Sequence, residues 1–121
     1  MASALVTGAT AGIGESFTRL LAQNKYDLIL VARDKKRLAE HAKYLTSKYK
    51  IKVEVLRADL SKDKDLAKVA KRLSDVKKPI EVLVNNAGFG LNKSFLTISN
   101  MLFFLSGEIL FHDESGLVFK I

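Results

Sequence analysis

The chain has 121 residues, 48% of them hydrophobic, with no cysteine and a formal net charge of +7 at pH 7. That size and apolar content suit one soluble domain with a modest core, and the lack of cysteine excludes disulfides and thiol chemistry and fits a reducing cytoplasm. No apolar run exceeds five residues, and no basic segment leads into a long apolar stretch, so neither a membrane span nor a secretory signal is expected.

The first expected strand is the apolar run Ala4-Leu5-Val6. It leads into Thr7-Gly8-Ala9-Thr10-Ala11-Gly12-Ile13-Gly14, and then into Glu15 to Leu21, where apolar residues recur at helical spacing. A glycine-rich turn between a strand and a helix is a docking place for a nucleotide pyrophosphate. The start of a helix offers N–H groups without intrahelical partners, and its dipole favours negative charge. Gly8 permits the sharp bend off the strand, Gly12 lets backbone approach the phosphates, and Gly14 lets helix and strand pack closely. A turn that merely needs positive φ angles is the competing reading.

The second strand is Asp27 to Ala32, with Arg33 at its end. Arg33 lies about 20 residues beyond the last glycine, where dinucleotide folds read the adenosine ribose. An acidic residue there would accept from the 2′-hydroxyl of NAD(H). Arg33 instead offers a planar fork of donors to the 2′-phosphate of NADP(H), which is therefore the expected cofactor in preference to NAD(H). A solvated surface arginine is the alternative.

Asp34 is placed to cap a second helix with Leu38, Ala42, Leu45 and Tyr49 on one apolar stripe. Ile51, Val53 and Val55 alternate as a third strand. Ser61 is expected to cap a third helix that buries Leu66, Val69, Ala70 and Leu73. Beyond Pro79, Ile80 to Val84 reads as a fourth strand. Alternating strands and helices imply an α/β, Rossmann-like, doubly wound parallel sheet.

Seventeen of the twenty Lys and Arg residues fall between Lys25 and Lys78. Asp63, Asp65 and Asp75 interrupt the densest run, and no aromatic residues are interleaved for base stacking. A solvated helix face explains it better than a nucleic-acid surface does. His41 and His112 have no carboxylate cluster at ligand spacing, so no metal site is expected.

Together these residues resemble the short-chain dehydrogenase/reductase family. The glycine signature matches Thr7, Gly8, Gly12 and Gly14, the Asp-Leu pair after the third strand matches Asp59-Leu60, and the Asn-Asn-Ala-Gly signature matches Asn85-Asn86-Ala87-Gly88. The likeness covers residues 1 to 97, and Ala87-Gly88-Phe89-Gly90 is similar to a bacterial-type branch. It implies the strand order 3-2-1-4 and a dinucleotide held by Thr7, Gly8, Thr10, Ala11, Gly12, Ile13, Gly14 and Arg33. It further implies that Asp59 meets the adenine amino group and Leu60 flanks the ring. Asn86, Ala87 and Gly88 would line the nicotinamide-ribose side. Ala11 departs from the serine or basic residue that often precedes the second glycine in NADP-preferring members.

The resemblance also implies a catalytic tyrosine and lysine, four residues apart, well beyond Asn86. Tyr44 and Lys48 have that spacing, but they precede both Asp59 and Asn86, so they read as a solvated helix face. No catalytic residue is assigned. From residue 98 the family pattern dissolves into a divergent tail, expected as a short helix and then a hairpin with His112 as a strand residue. We therefore expect a truncated cofactor-binding fragment of an oxidoreductase whose sheet stops after the fourth strand and whose bare edge and tail favour self-association. A non-catalytic nucleotide-binding or pairing module is the first alternative, and a basic nucleic-acid-binding protein the second.

Overall fold

The computed structural model describes residues 2–85, 108–113 and 116–120. Strand β1 (Ser3–Thr7) leads through the glycine turn into helix α1 (Gly12–Gln23), followed by β2 (Asp27–Ala32), α2 (Lys35–Tyr49), β3 (Val53–Arg57), α3 (Asp63–Leu73) and β4 (Val82–Asn85). These four strands run parallel in the order β3-β2-β1-β4, as the sequence implies. Consecutive strands β1, β2 and β3 step outward on one side, and β4 returns to the other side of β1. The change of direction falls between β1 and β4, the kind of switch point at whose carboxyl end open α/β sheets take their ligands.

The central strands are apolar on both faces because both faces are covered. Leu5, Ile29, Val31 and Leu83 pack in one cluster with Val69 and Leu73 of α3. Ala4, Val6, Leu28, Leu30, Val82 and Val84 pack in a second cluster with Ala22 of α1 and Leu38 and Leu45 of α2. Leu5, Leu28, Leu30, Leu38, Leu45 and Leu83 are fully buried. Each such leucine contributes about 1.5–3 kcal/mol relative to an exposed one.

Local signals hold at α2 and fail at α3. Asp34 caps α2 by accepting from the Arg37 N–H at 3.1 Å. At α3 the cap position is Lys62, which makes no side-chain cap, and Ser61 gives its N–H and hydroxyl to Asp59 Oδ1 at 3.0 and 2.6 Å. Ser61 is thus drawn into a turn closed by Asp59, and the capping expectation is corrected. Val55, which alternates with Val53, is 48% exposed on β3, an edge strand of the sheet. Ile80 precedes β4 and is nonetheless buried.

The sheet does not stop at β4. Strands β5 (Glu108–Asp113) and β6 (Gly116–Lys120) form an antiparallel pair, and β6 lies antiparallel to β4 with Val82 opposite Lys120 and Asn85 opposite Leu117. Among the described residues the order is β3-β2-β1-β4-β6-β5. The bare edge expected at β4 is therefore paired, because an antiparallel hairpin needs no crossover helix to reach it. His112 stands in β5. The helix expected within residues 98–105 lies outside the described residues.

Candidate functional site

The carboxyl ends of β1, β2 and β3 bring the sequence motifs to one rim of the sheet. Thr7 pairs with Val31, and Ala32 with Arg57, so Gly8, Arg33 and Asp59 all follow adjacent strand ends. The chain leaves β1 through Gly8 at φ 63° and enters α1 through Gly12 at φ 57°. Between them the Ala9 N–H donates to the Val31 carbonyl at 3.3 Å, stitching the turn to β2.

Among the described residues, nothing lies within 4 Å of where a β-carbon on Gly12 would stand, so they leave open space in front of the turn. Ala11, extended at φ −151°, occupies the cap position of α1 and offers no side-chain acceptor to the first turn. The contrast with Asp34 at α2 is direct: there a carboxylate caps the helix, whereas at α1 an external anion has room to do so. The turn thus fits a phosphate group.

The other expected residues divide between contact and support. Thr10 is half-buried, and its carbonyl accepts from Arg37 Nη2 at 3.2 Å. Thr7 is 2% exposed and donates its hydroxyl to the Val84 carbonyl at 3.4 Å, so it serves the β1–β4 seam. Gly14 is buried. Leu60 is only 5% exposed and packs with the α3 face of the core. Arg33 is exposed. Asp59 is held below the usual carboxylate range by the Ser61 hydroxyl and N–H, with further help from the charges of Arg33 and Lys62. An acceptor biased toward its ionised form therefore stands near the arginine. The Ile13 side chain and all of Asn86, Ala87 and Gly88 lie outside the described residues.

Three supporting residues escaped the sequence reading. Arg37 ties α2 to the glycine turn. Arg57 Nε donates to the Arg33 carbonyl at 3.0 Å, and Arg57 Nη1 lies 3.5 Å from Asp65 Oδ2. Asp65 is 8% exposed and accepts the Asp59 N–H at 2.8 Å, which corrects its reading as part of a solvated face. The signal for Asp65 was present: with Val69 and Leu73 it falls on the buried stripe of α3, at spacings of four. Arg37 and Arg57 carry no comparable mark.

Tyr44 and Lys48 do pair, with Lys48 Nζ 3.1 Å from the Tyr44 hydroxyl. That bond pulls the tyrosine below its ordinary value. Yet Tyr44 is 41% exposed on α2, seven residues past Arg37 and so about 10 Å farther along the helix from the rim. Among the described residues no group of three or more His, Cys, Asp or Glu side chains is placed to hold a metal, and no helix is long and apolar enough to cross a membrane.

The sequence matches the short chain dehydrogenase family over residues 2–104. The chain belongs to that family. The match runs past residue 97, where the motif-based likeness ends. Among curated relatives, a very-long-chain 3-oxoacyl-CoA reductase of Danio rerio is 34% identical over 108 residues, 88% of this chain and 33% of the relative. This short-chain dehydrogenase chain thus spans about a third of that relative's length. Among solved structures, the bulky-bulky ketone specific alcohol dehydrogenase of Comamonas testosteroni has a TM-score of 0.75 at 34% identity, over 81% of this chain and 46% of that one. A short-chain dehydrogenase of Sphingobium yanoikuyae in complex with NADPH has a TM-score of 0.72 at 34% identity, over 84% of this chain and 46% of that one.

Proposed function

We propose that the chain supplies the NADP(H)-binding part of an oxidoreductase that exchanges a hydride between the nicotinamide of NADP(H) and a carbonyl or alcohol substrate. The observation that carries this reading is the position of Arg33, exposed at the carboxyl end of β2 and next to an open glycine turn. The backbone of Gly12 and Ile13 would hold the pyrophosphate, and Arg33 would take the 2′-phosphate in a charge-assisted, two-pronged contact. Asp59, kept ionised, would accept from the adenine amino group. Asn86, Ala87 and Gly88 would border the nicotinamide ribose. The bound nicotinamide would supply or receive the hydride.

The similar proteins favour the same chemistry. One is a reductase of 3-oxoacyl-CoA, another an alcohol dehydrogenase for bulky ketones, and the third binds NADPH. All three concern the carbonyl–alcohol couple or its reductant. Tyr44 and Lys48 do not complete the machinery, since they stand on the exposed side of α2, away from the rim. The 121-residue chain alone is thus expected to bind cofactor without turning substrate over.

Fluorescence titration with NADPH, paired with an assay for ketone reduction, tests both halves. Saturable NADPH binding without turnover is the expected result. Turnover that disappears in Tyr44→Phe would place catalysis on α2 and contradict the assignment, and the absence of any NADPH binding would remove the cofactor reading.

A further inference from the structure

We propose that Arg57 and Asp65 are positioning residues that hold the two adenosine-reading residues, Arg33 and Asp59, in fixed relation to each other. This rests on the cofactor reading given above. Arg33 and Asp59 both lie beyond the last paired residues of their strands, Ala32 and Arg57. One more ladder bond, from the Ala58 N–H to the Ala32 carbonyl at 2.9 Å, extends the seam by a single step. Past that point the two loops are joined through side chains.

The connection is continuous. The Arg33 carbonyl accepts from Arg57 Nε at 3.0 Å, Arg57 Nη1 meets Asp65 Oδ2 at 3.5 Å, and the same carboxylate oxygen accepts the Asp59 N–H at 2.8 Å. Lys68 Nζ donates to the Arg57 carbonyl at 3.2 Å and steadies the strand end from α3. The rigid guanidinium fork can address two acceptors at a set angle, which a lysine ammonium cannot reproduce. With its backbone fastened from behind, Arg33 stays at the rim with its side chain exposed.

Asp65 is almost fully buried on the apolar stripe of α3. Its Oδ2 takes both bonds, one from the backbone of the residue that would read adenine and one from the arginine that holds Arg33. Movement of either loop would leave a buried charge undersatisfied. Arg57 thus acts on the 2′-phosphate through Arg33 and makes no contact with it.

A double-mutant cycle on the full chain, with 2′,5′-ADP as probe, tests the coupling. Arg57→Met is expected to weaken binding roughly tenfold when Arg33 is present, and less than about twofold in an Arg33→Ala background. The NADPH-to-NADH affinity ratio should fall by about the same tenfold, a change that general loosening of the fold would not produce. Arg57→Lys retains the cation without the fork and should show the same losses, which keeps the test decisive should Arg57→Met fail to fold. Equal losses in both Arg33 backgrounds, or equal losses for NADPH and NADH, would overturn the relay while leaving the cofactor site intact. If Arg33→Ala itself leaves 2′,5′-ADP binding unchanged, the cofactor reading fails and the relay falls with it.

Discussion

His41 joins α1 to α2. Its Nε2 lies 2.7 Å from the hydroxyl of Thr18, a fully buried side chain that in turn donates to the Glu15 carbonyl. With the Thr18 proton committed, the imidazole must donate from Nε2. Burial lowers the His41 pKa from its ordinary 6.5, with Glu15 opposing and Arg19 assisting. The unfolded chain therefore binds a proton at higher pH than the folded chain does. Stability is full above pH 6.5 and falls as the pH drops below it toward the folded value. Thermal melts at pH 7.5 and pH 5.5 should show a decrease that is smaller in His41→Gln, and an identical decrease in both proteins would exclude His41 as its source. The sequence displayed His41 only as an unlikely metal ligand; its contact with Thr18 depends on how two helices cross. The place of Arg33 at the end of β2, by contrast, was legible from its distance along the chain to the glycines.

At the scale of elements, α2 shows most clearly how local chemistry sets a boundary. Asp34 accepts the Arg37 N–H, and the helix then buries Leu38 and Leu45. Asp34→Ala should cost about 1 kcal/mol in denaturant unfolding, as loss of a cap usually does. An unchanged midpoint would show that packing of Leu38 and Leu45 alone starts the helix. The bounds of β2 were readable to the residue because an apolar run covered on both faces has abrupt polar ends. The start of α3 was not, since Ser61 and Asp59 compete for the same turn and the tertiary bond from Asp59 to Asp65 decides it. Strands β5 and β6 were visible as strand, turn and strand, whereas their pairing partner depends on β4 offering a free edge.

At the scale of the whole molecule, the described strands form one sheet with β3 and β5 outermost. β3 presents the exposed Val55 and unpaired backbone, a combination that invites edge-to-edge pairing. Sedimentation should therefore show mass that rises with concentration, and a monodisperse monomer across a tenfold range would contradict this. The parallel sheet followed from the alternation of strands and helices, and its order from the family resemblance. The ties made by Arg37 and Arg57 did not, because these residues act on backbone brought near only by folding. The central claim is that this rim binds NADP(H) through Arg33. Calorimetry of the chain and of Arg33→Asp, each with NADPH and NADH, tests it most directly. The chain should prefer NADPH and the variant NADH, with the lost phosphate contact costing about 1.5–3 kcal/mol. Equal affinity for the two cofactors before and after the substitution would contradict it.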